Sequence, residues 1–174
     1  YINAASGSAT LNIVSNTINN TSSQHRATGT SYAISHNGTI TSALTINNNT
    51  INLNFGATGP ATLYGLFSNA STVAATTYNL TNNSFTFSNA VASSTASCIY
   101  NTDGPTSGTP ANKTITGNTF VITGNAVILG GLTIGYSNNL TVSGNTINLA
   151  SSSAAVTSLY GFNISTYCIG AHSI

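Results

Sequence analysis

An eight-residue pattern that occurs five times constrains the fold of this chain more than any other feature. The pattern reads apolar, any residue, apolar, two mostly polar positions, Asn, Thr or Ser, and apolar. The five copies occupy residues 11–18, 44–51, 78–85, 113–120 and 140–147. In the fourth copy Lys113 takes the first apolar position. The central asparagines lie 33, 34, 35 and 27 residues apart, which is the spacing of a repeat protein built from stacked units.

A second short segment follows each copy at a nearly constant distance. These segments occupy residues 32–34, 64–66, 98–100, 132–134 and 160–162. They begin 14 to 16 residues after the central Asn of the copy before them. Because both parts recur together five times, each unit of the chain is expected to form one coil of a repeating structure.

The apolar residues within each unit alternate with polar ones, which is the period of a β-strand. Leu44 and Ile46, for example, flank one polar residue. Ankyrin and tetratricopeptide units have a similar length but are helical, and a helical spacing of apolar residues is absent from this sequence. The second unit therefore predicts strands near residues 44–47, 50–54 and 62–67. Three short strands per coil, stacked on the next coil, make an all-β parallel β-solenoid.

The central Asn of each copy is predicted to lie at the corner between the first and second strands of its coil. Asn tolerates the left-handed backbone geometry of a sharp corner better than most residues that have a side chain. Its amide both donates and accepts hydrogen bonds, so stacked asparagines can bond along the axis of the solenoid. The sequence therefore predicts an internal ladder that consists of Asn16, Asn49, Asn83, Asn118 and Asn145.

Two segments of the repeat resemble a known family. Residues 140–148 read LTVSGNTIN, and residues 159–162 read LYGF. Both resemble the repeat of the right-handed parallel β-helix proteins of the pectate-lyase-like superfamily, and the resemblance extends over about residues 11–167. It implies a single-stranded, right-handed β-helix of about five coils, each 27 to 35 residues long. Members of that superfamily include lyases, glycosidases, phage tailspikes and adhesins, so the fold alone does not specify an activity.

The chain is expected to form one solenoid domain over residues 1–174 that is open at both ends. Its first residues resemble the last strand of a coil, and its last residues fall where a further coil would begin. An open solenoid end exposes strand edges that pair with other chains. The chain is therefore interpreted as a segment of a longer protein or as a subunit that stacks end to end.

Formal charges are almost absent from the sequence. Arg26, Lys113 and Asp103 are the only Lys, Arg, Asp or Glu residues. One carboxylate cannot supply the acid pair of most glycosidases or the several acids that the resembling enzymes use. Two cations cannot form the basic patch of a nucleic-acid-binding protein, and no apolar run is long enough to insert into a membrane. The sequence therefore predicts no enzyme, no cofactor, and no nucleic-acid or membrane partner.

The residues that commonly carry chemistry are interpreted as structural. Asp103 lies in a segment rich in turn residues and is expected to form a turn. His25, His36 and His172 show no metal-ligand spacing with one another or with Cys or Asp, and His36 is placed in a loop. A Ser-His-Asp triad with Asp103 is formally available, but no nucleophile motif accompanies it. The sequence predicts neither a catalytic nor a metal site.

The two cysteines are predicted not to be bonded to each other. Cys98 belongs to the third unit and Cys168 to the end of the fifth. Stacked strands are about 4.8 Å apart, which separates the two cysteines by roughly 9–10 Å. A disulfide requires Cα atoms within about 7 Å of each other. Cys98 is instead expected to pack at the position that Tyr64 and Tyr160 hold in other units.

Candidate sites for N-glycosylation come from ten Asn-X-Ser/Thr sequons, a number close to chance for so many Asn, Ser and Thr residues. Asn37, Asn69 and Asn112 fall in predicted loops, where the acceptor of a glycan must lie. These three asparagines are the candidate glycosylation sites.

The composition favours a structural role outside the cell. A nearly uncharged surface rich in Ser, Thr and Asn lacks the charge repulsion that keeps solutes apart. The first hypothesis is an extracellular or cell-surface structural protein of adhesive character. It would be a rigid rod or fibre subunit that self-associates through open coil ends and uncharged polar faces.

Two alternatives are kept beside this hypothesis. The first is a carbohydrate-binding module without catalysis, whose partners are glycans that stack on tyrosine. The candidate tyrosines are Tyr32, Tyr64, Tyr100, Tyr136, Tyr160 and Tyr167. The second is an ice-binding protein with one row of hydroxyl groups. That row would consist of Thr17, Thr50, Ser84, Thr119 and Thr146. Tyrosines that point inward or line the stack would disfavour the first alternative, and coils of unequal length disfavour the second.

Overall fold

The computed structural model describes residues 2–4, 8–20, 29–38, 40–54, 61–69, 77–90, 94–104 and 110–174. Over these residues the chain forms seventeen β-strands, which belong to three sheets. The first sheet contains β1 (Ile2–Ala4), β4 (Gly29–His36), β7 (Ala61–Ser68), β10 (Thr95–Asn101), β13 (Ile128–Ile134) and β16 (Ser158–Ile164). The second contains β2 (Ser8–Val14), β5 (Ile40–Asn47), β8 (Thr77–Thr81), β11 (Ala111–Thr116), β14 (Ser137–Ser143) and β17 (His172–Ser173). The third contains β3 (Thr17–Asn20), β6 (Thr50–Asn54), β9 (Ser84–Ala90), β12 (Thr119–Gly124) and β15 (Thr146–Ser151).

The pairing of the strands confirms the predicted fold class. Each strand pairs in parallel with the strands that lie three places before and after it in the chain. A chain that visits three sheets in turn and then returns to the first is a parallel β-solenoid with three strands per coil. The strands predicted in the second unit correspond to β5, β6 and β7. The right-handed sense of the coil stays a prediction.

The core fills the space that the three sheets enclose. Ile51, Phe85 and Phe120 lie side by side in the third sheet, and all three are fully buried. Their sequence neighbours Asn52 and Thr86 point the other way and are only half-buried. The alternation that predicted the strands therefore also decides which face forms the core. Burying one such side chain stabilises the fold by about 1.5–3 kcal/mol.

The corner between the second and third sheets differs in one respect from the prediction. A residue with positive φ lies at this corner in every unit, with φ between 54° and 67°. These residues are Ser15, Asn48, Asn82, Gly117 and Gly144. Each of them directly precedes the repeat Asn, so the expectation that the repeat Asn itself adopts left-handed geometry is wrong. Because the preceding residue makes the turn, the repeat Asn can direct its side chain into the solenoid.

Candidate functional site

The repeat asparagines form one hydrogen-bonded row inside the solenoid. The Nδ2 groups of Asn16, Asn49, Asn83 and Asn118 each donate to Oδ1 of the next member of the row, at 2.9–3.0 Å. Their backbone N–H groups donate to the same oxygen atoms. The amide of Asn145 ends the row and donates to a backbone carbonyl of the coil before, at 2.9 Å. These bonds occupy the amides with one another, so the row is a structural element.

A second buried polar group lies at the corner between the first and second sheets, where none was predicted. His36, Ser68 and Asn101 hold equivalent positions on neighbouring strands of the first sheet. Asp103 follows two residues after Asn101, and Lys113 enters from β11. All five residues are at most 1% exposed, and we call them the charged cluster. Two of the three formal charges of the chain therefore lie inside the solenoid.

The Asp103 carboxylate is the acceptor at the centre of the charged cluster. The Ser68 hydroxyl donates to Asp103 Oδ2, and Asn101 Nδ2 donates to the same oxygen at 3.1 Å. His36 Nδ1 lies 2.9 Å from Ser68 Oγ and 3.8 Å from Asp103 Oδ2. Since the single hydroxyl hydrogen of Ser68 points to the carboxylate, the hydrogen between Ser68 and His36 belongs to Nδ1.

The Lys113 ammonium group is held from three sides. Its Nζ donates to Asn101 Oδ1 at 2.5 Å, to the Gly135 carbonyl at 2.6 Å and to the Asp103 carbonyl at 2.9 Å. The Tyr78 ring lies 5.2 Å from Nζ, measured to the ring centroid. Burial lowers the pKa of Lys113 to about 8, and the Asp103 carboxylate opposes this effect. Burial together with Asp103 raises the pKa of Tyr78 above its ordinary value.

The charged cluster corrects one prediction. His36 is the last residue of β4 and does not lie in a loop. Asp103 follows β10, and its side chain is fully buried. Ser68, His36 and Asp103 do meet, but the carboxylate bonds to the serine and the histidine bonds to the serine from the other side. This is not the order of a hydrolytic triad, in which the acid orients the histidine. Because the whole cluster is buried, its side chains are placed to react with one another.

One sequence signal could have located the charged cluster. Lys113 takes an inward-facing apolar position of the repeat, and a buried cation requires compensation by an anion or by several acceptors. Asp103 is the only acid in the chain. The two residues could therefore have been paired from the sequence, although the roles of Ser68 and His36 could not.

The predicted glycosylation sites are exposed. Asn37 follows β4 and Asn69 follows β7, as expected for loops. Asn112 lies on β11 and not in a loop, and its Oδ1 accepts hydrogen bonds from Asn138 and Asn139 at 3.2 and 2.9 Å. Glycosylation of these three asparagines stays a prediction.

The remaining titratable residues do not form a site among the residues that the structure describes. His172 is exposed on β17, and His25 lies outside the described residues. In the described ranges, no group of three or more His, Cys, Asp or Glu side chains could hold a metal ion. Cys98 is buried, Cys168 is half-buried, and the two are not bonded to each other. The strand register pairs Ser97 with Tyr64, so the expected equivalence of Cys98 with Tyr64 is wrong by one residue.

An aromatic row runs along the first sheet and contains Tyr32, Tyr64, Phe67 and Tyr100, all half-buried. The Tyr32 and Tyr64 rings stack at 5.6 Å with 8° between their planes. Phe67 and Tyr100 stack at 5.4 Å with 7° between their planes. Rings that stack on one another cover the faces that a sugar would need. The row therefore favours packing along the stack and disfavours carbohydrate binding.

The hydroxyl row of the third sheet is present but narrow. Thr17, Thr50, Ser84, Thr119 and Thr146 are aligned by the strand register. The neighbouring outward row consists of Asn19, Asn52, Thr86, Val121 and Asn148. A face that matches an ice lattice needs more than one regular row, so this mixed second row disfavours ice binding.

The last coil exposes apolar side chains at positions that form the core in the coils before it. Ile147 on β15, and Leu159 and Ile164 on β16, are 38%, 59% and 38% exposed. We call these three residues the end face. Their partners on the neighbouring strands, Phe120, Leu129 and Ile134, are fully buried. The end face is thus a piece of core that no described coil covers.

Comparison of the chain with protein-family models, with curated protein sequences and with solved structures finds no match. In the part of the chain that the structure describes, no helix has the length and apolar character needed to cross a membrane. The class that the structure defines is that of parallel β-solenoid repeat proteins.

Proposed function

We propose that this chain is an extracellular structural subunit, a rigid rod or fibre element that associates with further copies of itself through the end face. The observation that carries the proposal is the exposure of core-type side chains at Ile147, Leu159 and Ile164. The resemblance of the repeat to right-handed β-helix surface proteins supports the extracellular, adhesive setting. No catalytic step is part of this function.

Burial of the end face would stabilise an assembly. Full burial of an exposed large apolar side chain is worth about 1.5–3 kcal/mol. The three residues of the end face gain the part of this that corresponds to their exposed fraction. The free edge of β16 also carries backbone donors and acceptors that another strand can pair. Apolar contact and strand pairing at the same place are typical of a surface that receives a further β-strand layer.

A second copy of the chain fits this surface. The first sheet runs from β1 to β16 with every pair parallel, so its two edges present complementary hydrogen-bonding groups. A second copy can therefore place the edge of its β1 against β16. Such a head-to-tail contact does not close on itself and produces a filament. A net charge of +1 adds little repulsion between copies.

Sedimentation velocity of the 174-residue chain over a range of micromolar concentrations tests the proposal. Leu159→Lys places a charge on the end face, and Val121→Lys places the same charge on the outer row of the third sheet. We expect the unchanged chain and Val121→Lys to associate as concentration rises, and Leu159→Lys to stay monomeric. An unchanged chain that is monomeric at every concentration, or two variants with equal effects, would contradict the proposal. With a monomeric result, the alternative occupant of the end face would be a further coil of a longer chain.

A further inference from the structure

The charged cluster brings an amine, an amide and a carboxylate into contact. Lys113 Nζ is 2.5 Å from Asn101 Oδ1, and Asp103 Oδ2 is 3.1 Å from Nδ2 of the same amide. The amine therefore lies at the oxygen of the Asn101 amide, and the carboxylate lies at its nitrogen. All three side chains are buried, and the Gly135 and Asp103 carbonyls fix the position of Nζ.

We propose that Lys113 and Asn101 form an intramolecular isopeptide bond, which joins β10 to β11 covalently. Lys113 Nζ attacks Asn101 Cγ, and the Cγ–Nζ bond forms. The Cγ–Nδ2 bond breaks, a proton passes from Nζ to Nδ2, and ammonia leaves. The reaction exchanges one amide for another, so it consumes no oxidant, reductant or other reactant.

Asp103 is the catalytic residue of this step because it touches the leaving nitrogen. Its Oδ2 accepts a hydrogen bond from Nδ2 and can deliver a proton to that nitrogen as the Cγ–Nδ2 bond breaks. Ser68 is a positioning residue, since its hydroxyl donates to Oδ2 and His36 holds that hydroxyl in place. The carboxylate is thereby directed at the amide of Asn101.

The surroundings of Lys113 and Asn101 favour formation of the bond and protect it from hydrolysis. Burial lowers the pKa of Lys113 to about 8, so a larger fraction of this amine is unprotonated and nucleophilic near neutral pH than for an exposed lysine. Holding the two groups in contact replaces a slow bimolecular encounter. The buried site also excludes the water that would hydrolyse the new amide.

The bond has only one place to form in this chain. Lys113 is the only lysine, and the other charged amine-like side chain is the guanidinium of Arg26. The buried asparagines of the repeat row bond to one another and to backbone carbonyls, with no amine among those contacts. A mass change at Asn101 and Lys113 therefore reports on this site alone.

Intact-mass measurement of the folded 174-residue chain, followed by digestion after denaturation with a protease that cleaves only after lysine, tests the proposal. We expect a mass about 17 Da below that of the sequence, because one ammonia is lost. We also expect no cleavage, because the only lysine no longer has a free amine. The full sequence mass together with fragments 1–113 and 114–174 would overturn the proposal.

Hydroxylamine treatment and three variants distinguish the isopeptide bond from other reactions that release ammonia. A succinimide formed at an exposed Asn has the same mass loss, but hydroxylamine cleaves it and the lysine site stays sensitive. In Asn101→Asp the leaving group becomes water, so the expected loss changes to about 18 Da. Asn118→Asp, in the repeat row, is the matched control and keeps the loss of ammonia. Asp103→Asn should leave the chain uncrosslinked and cleavable; a bond formed at the original rate would overturn the role of Asp103.

Discussion

The middle coils and the last coil of this solenoid place the same kinds of residue in opposite environments. Leu129 on β13 and Leu159 on β16 are direct strand partners, yet Leu129 is 0% exposed and Leu159 is 59% exposed. The residue type, the sheet and the register position are the same, and only the presence of a covering coil differs. In a solenoid, burial is therefore supplied by the next coil and not by the strand on which the residue lies.

The largest expected effect contrasts these two leucines. Leu129→Ala removes methyl groups from a closed core and should lower the free energy of unfolding by about 3 kcal/mol. Leu159→Ala should lower it by less than about 0.5 kcal/mol, because its side chain already contacts solvent. Urea unfolding, performed below the concentration at which the chain associates, measures both. Equal losses would show that the end face is covered within a single chain.

The second largest effect is a difference in the free energy of unfolding between substitutions in the middle and at the end of the asparagine row. Asn83→Ala removes the acceptor of the Asn49 amide and the donor to Asn118, both inside the solenoid. Leaving these groups unpaired should cost about 2 kcal/mol. Asn145 is only half-buried, so Asn145→Ala should cost about half as much in the same unfolding measurement. A larger loss at Asn145 than at Asn83 would contradict the contrast.

The smallest effect is a loss of stability at high pH that is expected to depend on Cys98 and not on Cys168. Burial raises the pKa of Cys98 above its ordinary value of 9.0. Above pH 9 the unfolded thiol loses its proton while the folded thiol keeps it, so the unfolded state binds fewer protons and stability falls. The contribution of Cys98 to this loss should reach about 1 kcal/mol near pH 10, below the range in which Tyr78 contributes strongly. A free Lys113 amine acts in the opposite direction over the same range because burial lowers its pKa to about 8, so the effect of Cys98 is the difference between variants and the unchanged chain.

Two cysteine variants identify the source of that pH dependence. Cys98→Ala should lack the loss of stability that the Cys98 thiol causes above pH 9, and Cys168→Ala should show the same loss as the unchanged chain. Urea unfolding in the presence of a reductant at pH values between 8 and 10 measures the slope for each variant. A slope in Cys98→Ala equal to that of the unchanged chain would place the responsible group elsewhere.

The regular part of the molecule could be predicted because it repeats. Five copies of one Asn position, with apolar residues at period two around it, specify strands, corners and the asparagine row. The position of the left-handed residue was missed by one place, because that position holds Ser, Asn or Gly in different units and gives no constant signal. A separate one-residue error, in the register of the first sheet, placed Cys98 opposite Tyr64.

The charged cluster could not be predicted in the same way because its members change from coil to coil. His36, Ser68 and Asn101 share one register position, but their residue types have nothing in common that marks a repeat. Asp103 lies outside the repeated pattern altogether. The exposure of Leu159 was also hidden, because it depends on a neighbouring coil and not on local sequence.

Negative-stain electron microscopy of the 174-residue chain at micromolar concentration tests the central claim most directly. Self-association through the end face predicts unbranched fibres about one solenoid wide, and predicts that Leu159→Lys abolishes them. Short particles of uniform size, the same for the unchanged chain and for Leu159→Lys, would contradict that claim.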